Sequence, residues 1–240
     1  MAGRRKALAA EVEEDIMGVG DDNALHQVAE TAPVDDQADE GPGSLVAAWA
    51  VALGLGLTAL VASTLGSTLI VERFADAARP DDLLFELLPY VRPARWLTLV
   101  ALVVGFGAFL VDLLRHDRSR VPAVGAVFAL MYLLRAVIMV LTPLAPAQGD
   151  GPFLFTPQQY GMFPSGHVAA LTLLALLTPT ERVWRRRLQW LMVLMMSAGL
   201  VLAHGHYSID VVGGLLLAYF VVHTWRSGRL FAPITRVTGS

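Results

Sequence analysis

Residues 44–71 read SLVAAWAVALGLGLTALVASTLGSTLIV, and no charged side chain interrupts them. A bilayer-crossing helix needs about 20 apolar residues at 1.5 Å rise each. This run exceeds that need, and a soluble helical bundle has no use for a helix that apolar on every side. Five more apolar segments follow at roughly 95–115, 121–141, 167–180, 188–204 and 209–225. The pattern predicts an all-α, six-span integral membrane bundle over residues 44–226, with a short C-terminal tail at 227–240. The fourth and fifth segments are short as delimited and are expected to extend into their flanks.

The composition agrees. The chain of 240 residues is 55% hydrophobic, with a mean hydropathy of +0.55. The net charge of -3 conceals a division. Residues 1–43 hold eleven acidic residues against Arg4, Arg5 and Lys6, giving about -8, whereas the remainder is near +5. Neither part has the basic patch of a nucleic-acid binder. Residues 1–43 lack a sustained apolar face and end in Gly41-Pro42-Gly43, as expected of a disordered acidic tail. Glu11, Glu13, Glu14 and Asp15 break any signal-peptide core. With no cysteine, disulfides, zinc–thiolate sites and thiol catalysis are excluded.

Arginines orient the spans. Arg115, Arg118 and Arg120 follow the second segment, Arg182 and Arg185 to Arg187 follow the fourth, and Arg226, Arg229 and Arg236 follow the sixth. Residues 142–166 and 205–208 contain neither Lys nor Arg. Both termini are therefore expected in the cytoplasm. The loop 72–94 carries Arg73, Arg79, Arg92 and, just beyond it, Arg95, offset by Glu72, Asp76, Asp81, Asp82 and Glu86. Trp96, Trp184, Trp190 and Trp225 lie near segment ends, where interfacial anchors are expected.

This orientation places Pro164-Ser165-Gly166-His167 and His204-Gly205-His206-Tyr207-Ser208-Ile209-Asp210 together on the non-cytoplasmic side. Phosphoryl transfer needs a nucleophile, a proton donor for the leaving group and donors for the phosphoryl oxygens. His206 and Asp210 are four apart and share a helical face, so the carboxylate can fix the imidazole tautomer. His167 then serves as the acid. Gly166 allows close backbone approach, Ser165 offers a hydroxyl, and helix N-termini favour an anion. Arg135, inside the third segment, either binds phosphate or snorkels to the interface. A metal site built from His167, His204, His206 and Asp210 is a rival reading. His26, His116 and His223 read as ordinary solvated residues, and Asp112 as interfacial.

These motifs resemble the type-2 phosphatidic acid phosphatase (PAP2) superfamily, and within it the sphingomyelin synthase branch. That branch has an Arg-led motif similar to Arg135-Ala-Val-Ile-Met139-Val-Leu-Thr142-Pro143-Leu144, a last motif similar to His204–Val211, and an early Pro-Asp motif matched by Pro80-Asp81. The resemblance covers roughly residues 44–226. It implies His206 as nucleophile through a phosphohistidine, Asp210 as its partner and His167 as acid, with Arg135, Ser165, Gly166 and His204 contacting the phosphate. No metal or cofactor is expected, because the histidines, Arg135 and helix termini carry the charge. The wider phosphatase pattern has Lys, six residues, then Arg-Pro, where this chain has Arg135, six residues, then Thr142-Pro143. It also has Ser-Arg five residues before the nucleophile, where Gly199-Leu200 stand here. Two cations are thus missing, as in the synthase branch, which suits a phosphodiester of one negative charge better than a monoester. Pro164 before Ser-Gly-His is the phosphatase-like feature. The expected activity is transfer of a phospho-head group from a phospholipid to a lipid hydroxyl. A lipid phosphate or diphosphate phosphatase, with water as acceptor, is the alternative, and a non-catalytic lipid-binding or transport protein is the alternative of another class.

Overall fold

The computed structural model describes residues 42–147, 161–228 and 230–238. The acidic tail, apart from its last two residues, and most of the link after the third segment lie outside them. Helix α1 spans Pro42–Arg73, α2 Leu83–Leu87, α3 Arg95–His116, α4 Val121–Leu141, α5 Gly166–Leu177, α6 Val183–Leu202, α7 Ser208–Ser227 and α8 Ala232–Thr238. Single 3₁₀ turns at Arg92–Ala94 and Arg118–Arg120 lead into α3 and α4. Among the described residues there is no strand.

All six apolar segments are helical, but only four are long and apolar enough to cross a membrane: Leu45–Arg73, Arg92–His116, Arg118–Leu141 and Ser208–Ser227. These make the chain an integral membrane protein. Four of the six expected spans meet that measure. Helix α5 has 12 residues, about 18 Å against the ~30 Å of a hydrocarbon core. Ser165 caps its start and Thr178-Pro179 stops its end, since proline disfavours helix in the residue before it. Arg185, Arg186 and Arg187 occupy the first turn of α6, which leaves residues 188–202 as its apolar part.

Helix α1 packs along α4, α3 along α6, and α5 lies between α6 and α7. The outer surface of α1 is apolar: Leu53 is 65% exposed, Leu57 63% and Leu65 65%. Patches of that kind mark a lipid-facing surface. The hydroxyls of Thr58, Thr64 and Thr68 bond to the carbonyls of Gly54, Leu60 and Thr64 one turn back, which removes polar groups from that surface. Short α5 is the inverse, with ten of its 12 residues buried.

The two ends of the bundle differ. At one end Asp112 is buried and paired with Arg182, Arg185 and His116, while Arg182 also reaches Asp117 at 3.2 Å. This network ties the α3–α4 link to the α5–α6 link, and Arg226 of α7 donates to the carbonyl of Leu176 beside it. At the other end lie the start of α5, the start of α7 and the end of α6. Trp96 and Trp184 are exposed as anchors should be, but Trp225 is buried, with its ring 6.3 Å from that of Phe231, because the chain turns back after α7.

The approach of α5 to α7 depends on Gly214. A Cβ there would lie 2.7 Å from the carbonyl oxygen of Ser165 and 3.1 Å from the backbone nitrogen of Ala169. Those neighbours are backbone and cannot rotate away. Gly214→Val should cost about 1–3 kcal/mol or more through overpacking. Gly107, with nothing within 4 Å of its Cβ position, supplies the control: Gly107→Ala should be neutral or slightly stabilising. Thermal unfolding in detergent, wild type beside both variants, checks the pair.

Candidate active site

The turn between α6 and α7 sets the first half of the site. Helix α6 closes with Gly205 N–H donating to Leu200 O at 2.8 Å and His204 N–H to Val201 O at 3.0 Å, with His204 at φ +48°. That is a helix C-terminal motif in which the left-handed position is usually glycine. The chain then starts α7 at Ser208, with Tyr207 as the preceding cap residue. His206 therefore sits on a two-helix corner and is held from both sides.

Asp210 holds it from the α7 side. Its Oδ2 accepts the Tyr207 N–H at 3.1 Å and lies 3.0 Å from His206 Nδ1. An aspartate early in a helix ordinarily serves as a cap; here the capping oxygen is the one that meets the imidazole. The pair is buried, with Asp210 0% and His206 3% exposed. With Nδ1 engaged by a carboxylate, Nε2 is the ring nitrogen left for chemistry.

Helix α5 brings the second half. Ser165 N–H donates to the carbonyl of Asp210 at 3.0 Å, so the two motifs are joined through backbone. His167, in the first turn of α5, presents its ring at 69° to that of His206, with centroids 6.1 Å apart. The Ser165 hydroxyl is buried and accepts the Val168 N–H at 3.5 Å as the cap of α5, so its oxygen serves the helix.

Arg135 reaches across from α4. Its Nε donates to Pro164 O at 2.9 Å and one terminal nitrogen to Gly161 O at 3.2 Å. These bonds fasten the segment that leads into α5. A Cβ on Gly166 would come within 3.0 Å of Arg135 Nε, so glycine is needed at that contact.

A cavity of about 800 Å³ opens in front of these groups. Arg135, Gly166, His167 and His206 lie at its polar head. The rest of the wall is mostly apolar, from Leu60 on α1, Leu102 and Phe106 on α3, and Phe128 on α4, with Gly56, Ala59, Gly125 and Ala129 making room. Tyr132, also in the wall, was not singled out by its sequence context.

His204 is not part of that wall. Its ring stacks on Phe85 at 4.2 Å and 20°, with Tyr90 at 5.2 Å. The positive φ at His204 separates it from His206, two residues on. The four candidate metal ligands thus do not converge, and no group of three or more His, Asp or Glu suited to a metal is present among the described residues. Tyr207 turns to the link after α4 and donates its hydroxyl to Ala145 O at 3.2 Å. Burial, and then the Asp210 carboxylate, push its phenol above the usual range, so it stays a donor.

A comparison with curated proteins gave no match. Residues 162–227 match a family model, described as PAP2 superfamily C-terminal. The stretch runs from the residues before α5 to the end of α7, so the similarity to the PAP2 superfamily lies on the segment that carries His167, His206 and Asp210.

Proposed function

We propose that the protein is a membrane lipid phosphotransferase. It takes a phospho-head group from a phospholipid onto His206 and passes it to an acceptor hydroxyl, as the resemblance to sphingomyelin synthases suggests. The observation that carries this reading is the His206–Asp210 pair, with His167 edge-on beside it, at the head of a largely apolar cavity.

The chemistry follows from the geometry. Asp210 keeps the His206 proton on Nδ1, so Nε2 attacks phosphorus. As the N–P bond forms, the bond from phosphorus to the leaving alcohol breaks, and His167 gives that oxygen its proton. In the second half, His167 takes the proton of the acceptor hydroxyl. That oxygen attacks phosphorus, and the N–P bond breaks. The N–H groups opening α5 lie where phosphoryl oxygens gather charge.

Charge favours a phosphodiester donor. Arg135 is the single cation in the cavity wall among the described residues, and it already donates to two carbonyls. A monoester of about two negative charges would call for more. The apolar wall suits the donor's hydrocarbon. From Arg135 down α4 to Gly125 is ten residues, about 15 Å, or half of a ~30 Å hydrocarbon core. The arginine-rich end lies opposite the site, and the positive-inside rule favours a site on the non-cytoplasmic face with both termini in the cytoplasm.

Head-group-labelled phospholipids in liposomes, with ceramide or diacylglycerol as acceptors, test the reading. Label should move to a second lipid with wild type and not with His206→Ala; label released only into water would instead assign a phosphatase. Asp210→Asn should lower kcat by about 10²–10⁴-fold, because an amide no longer enforces the tautomer. Gly125 has only Ala52 near its Cβ position, at 3.8 Å. Gly125→Leu should therefore fold, fill the deep end of the cavity, and cut turnover of long-chain donors at least about tenfold more than that of short-chain donors. Rates measured across a chain-length series decide this.

A further inference from the structure

Asp82 stands just before Leu83-Leu84-Phe85 and begins α2. One of its oxygens, Oδ1, accepts the Leu84 N–H at 2.9 Å, which is ordinary helix capping. The other, Oδ2, accepts the N–H of Ser208, 126 positions away. Ser208 opens α7, and its N–H is one of the donors that a helix start leaves without an internal partner. Asp82 is buried, whereas Asp76 and Asp81 in the same loop are exposed.

The surroundings make this contact part of a clamp. Phe85 stacks on His204 at 4.2 Å and lies 5.8 Å from the ring of Tyr207. Val91 N–H donates to Leu202 O at 2.8 Å. The outer loop therefore grips the α6–α7 corner at Leu202, His204, Tyr207 and Ser208. His206 lies inside that stretch, and Asp210 is two residues past it. A helix of five residues is too short to persist alone, so α2 owes its place to these contacts and transmits it to the corner.

We propose that Asp82 is a positioning residue: its carboxylate joins the outer loop to the N-terminus of α7 and holds His206 and Asp210 in register for phosphoryl transfer. The catalytic consequence rests on the function proposed above. Asp82 is absent from the cavity wall, so its loss acts on the turnover step. Misplacement of a reacting group by about 1 Å can cost about 10²-fold in rate.

The test compares Asp82→Ala, Asp82→Asn and the charge control Asp76→Asn with wild type and His206→Ala, all as full-length protein in liposomes. Asp82→Ala should lower kcat about 10²-fold with KM within about threefold. Asp82→Asn keeps one oxygen; turned to the Ser208 N–H it gives up the Leu84 cap but keeps the link to α7, and should return kcat to within about tenfold of wild type. Asp76→Asn should be unchanged. Amide hydrogen exchange supplies a readout independent of turnover: residues 205–211 should exchange faster in Asp82→Ala and recover in Asp82→Asn. The proposal is overturned by an Asp82→Ala kcat within threefold of wild type, by a loss carried by KM, by Asp82→Asn no better than Asp82→Ala, or by unchanged exchange. If Asp82→Ala does not fold, Asp82→Glu replaces it; the added methylene displaces the carboxylate, so it must lose more kcat than Asp82→Asn, and equal values overturn the proposal. An inactive wild type, or His206→Ala as active as wild type, would sink the phosphohistidine reading, and the exchange experiment would still decide the role of Asp82 at the corner.

Discussion

A buried carboxylate is expensive unless its oxygens are met by donors. Asp210 meets this constraint at one oxygen only: Oδ2 accepts both the N–H of Tyr207 and the imidazole of His206, while Oδ1 is buried without a hydrogen-bond partner among the described residues. The first contact stabilises the start of α7, and the positive end of that helix favours the charge. The second fixes the ring of His206. Helix geometry and the candidate chemistry thus rest on the same atom, and the adjoining backbone follows from it: the carbonyl of Asp210 takes the Ser165 N–H and so brings α5, with His167, against α7.

The bundle is arranged so that this junction can form. Four long apolar helices provide lipid-facing surface, and short α5 is buried chiefly against α6 and α7. The opposite end is closed by buried Asp112 and its partly exposed arginine partners, whose charges neutralise one another. The cavity wall between the ends is mostly apolar.

Several of these features are legible in the chain because they are local. The uncharged run at 44–71 sets a membrane helix whatever surrounds it. The four-residue spacing of His206 and Asp210 keeps them within reach, although His206 precedes α7 and the oxygen that caps the helix at Tyr207 makes the contact. The arginine clusters mark one end of the bundle. Other features depend on tertiary contacts. Residues 167–180 and 188–204 are apolar like spans, but a helix buried in protein and one buried in lipid share a composition. Ser165 reads as a hydroxyl donor, and its oxygen also caps the start of α5. His204 reads as a phosphate-binding or metal-ligating residue; a left-handed position ends α6 there and its ring stacks on Phe85.

The sequence by itself determined the class of the molecule: helical, membrane-embedded, with two histidine motifs separated by apolar helices. Hydrophobic periodicity and charge act over a few turns, so they are written in neighbouring residues. Only the tertiary structure decided what those motifs meet. Asp82 and Ser208 are far apart along the chain, as are Arg135 and Pro164, and no local pattern relates either pair. Gly166 leaves room for the Arg135 guanidinium beside Pro164, and Gly214 lets the backbone of α5 approach α7. That condition depends on shape across the whole bundle, which short-range spacing does not encode.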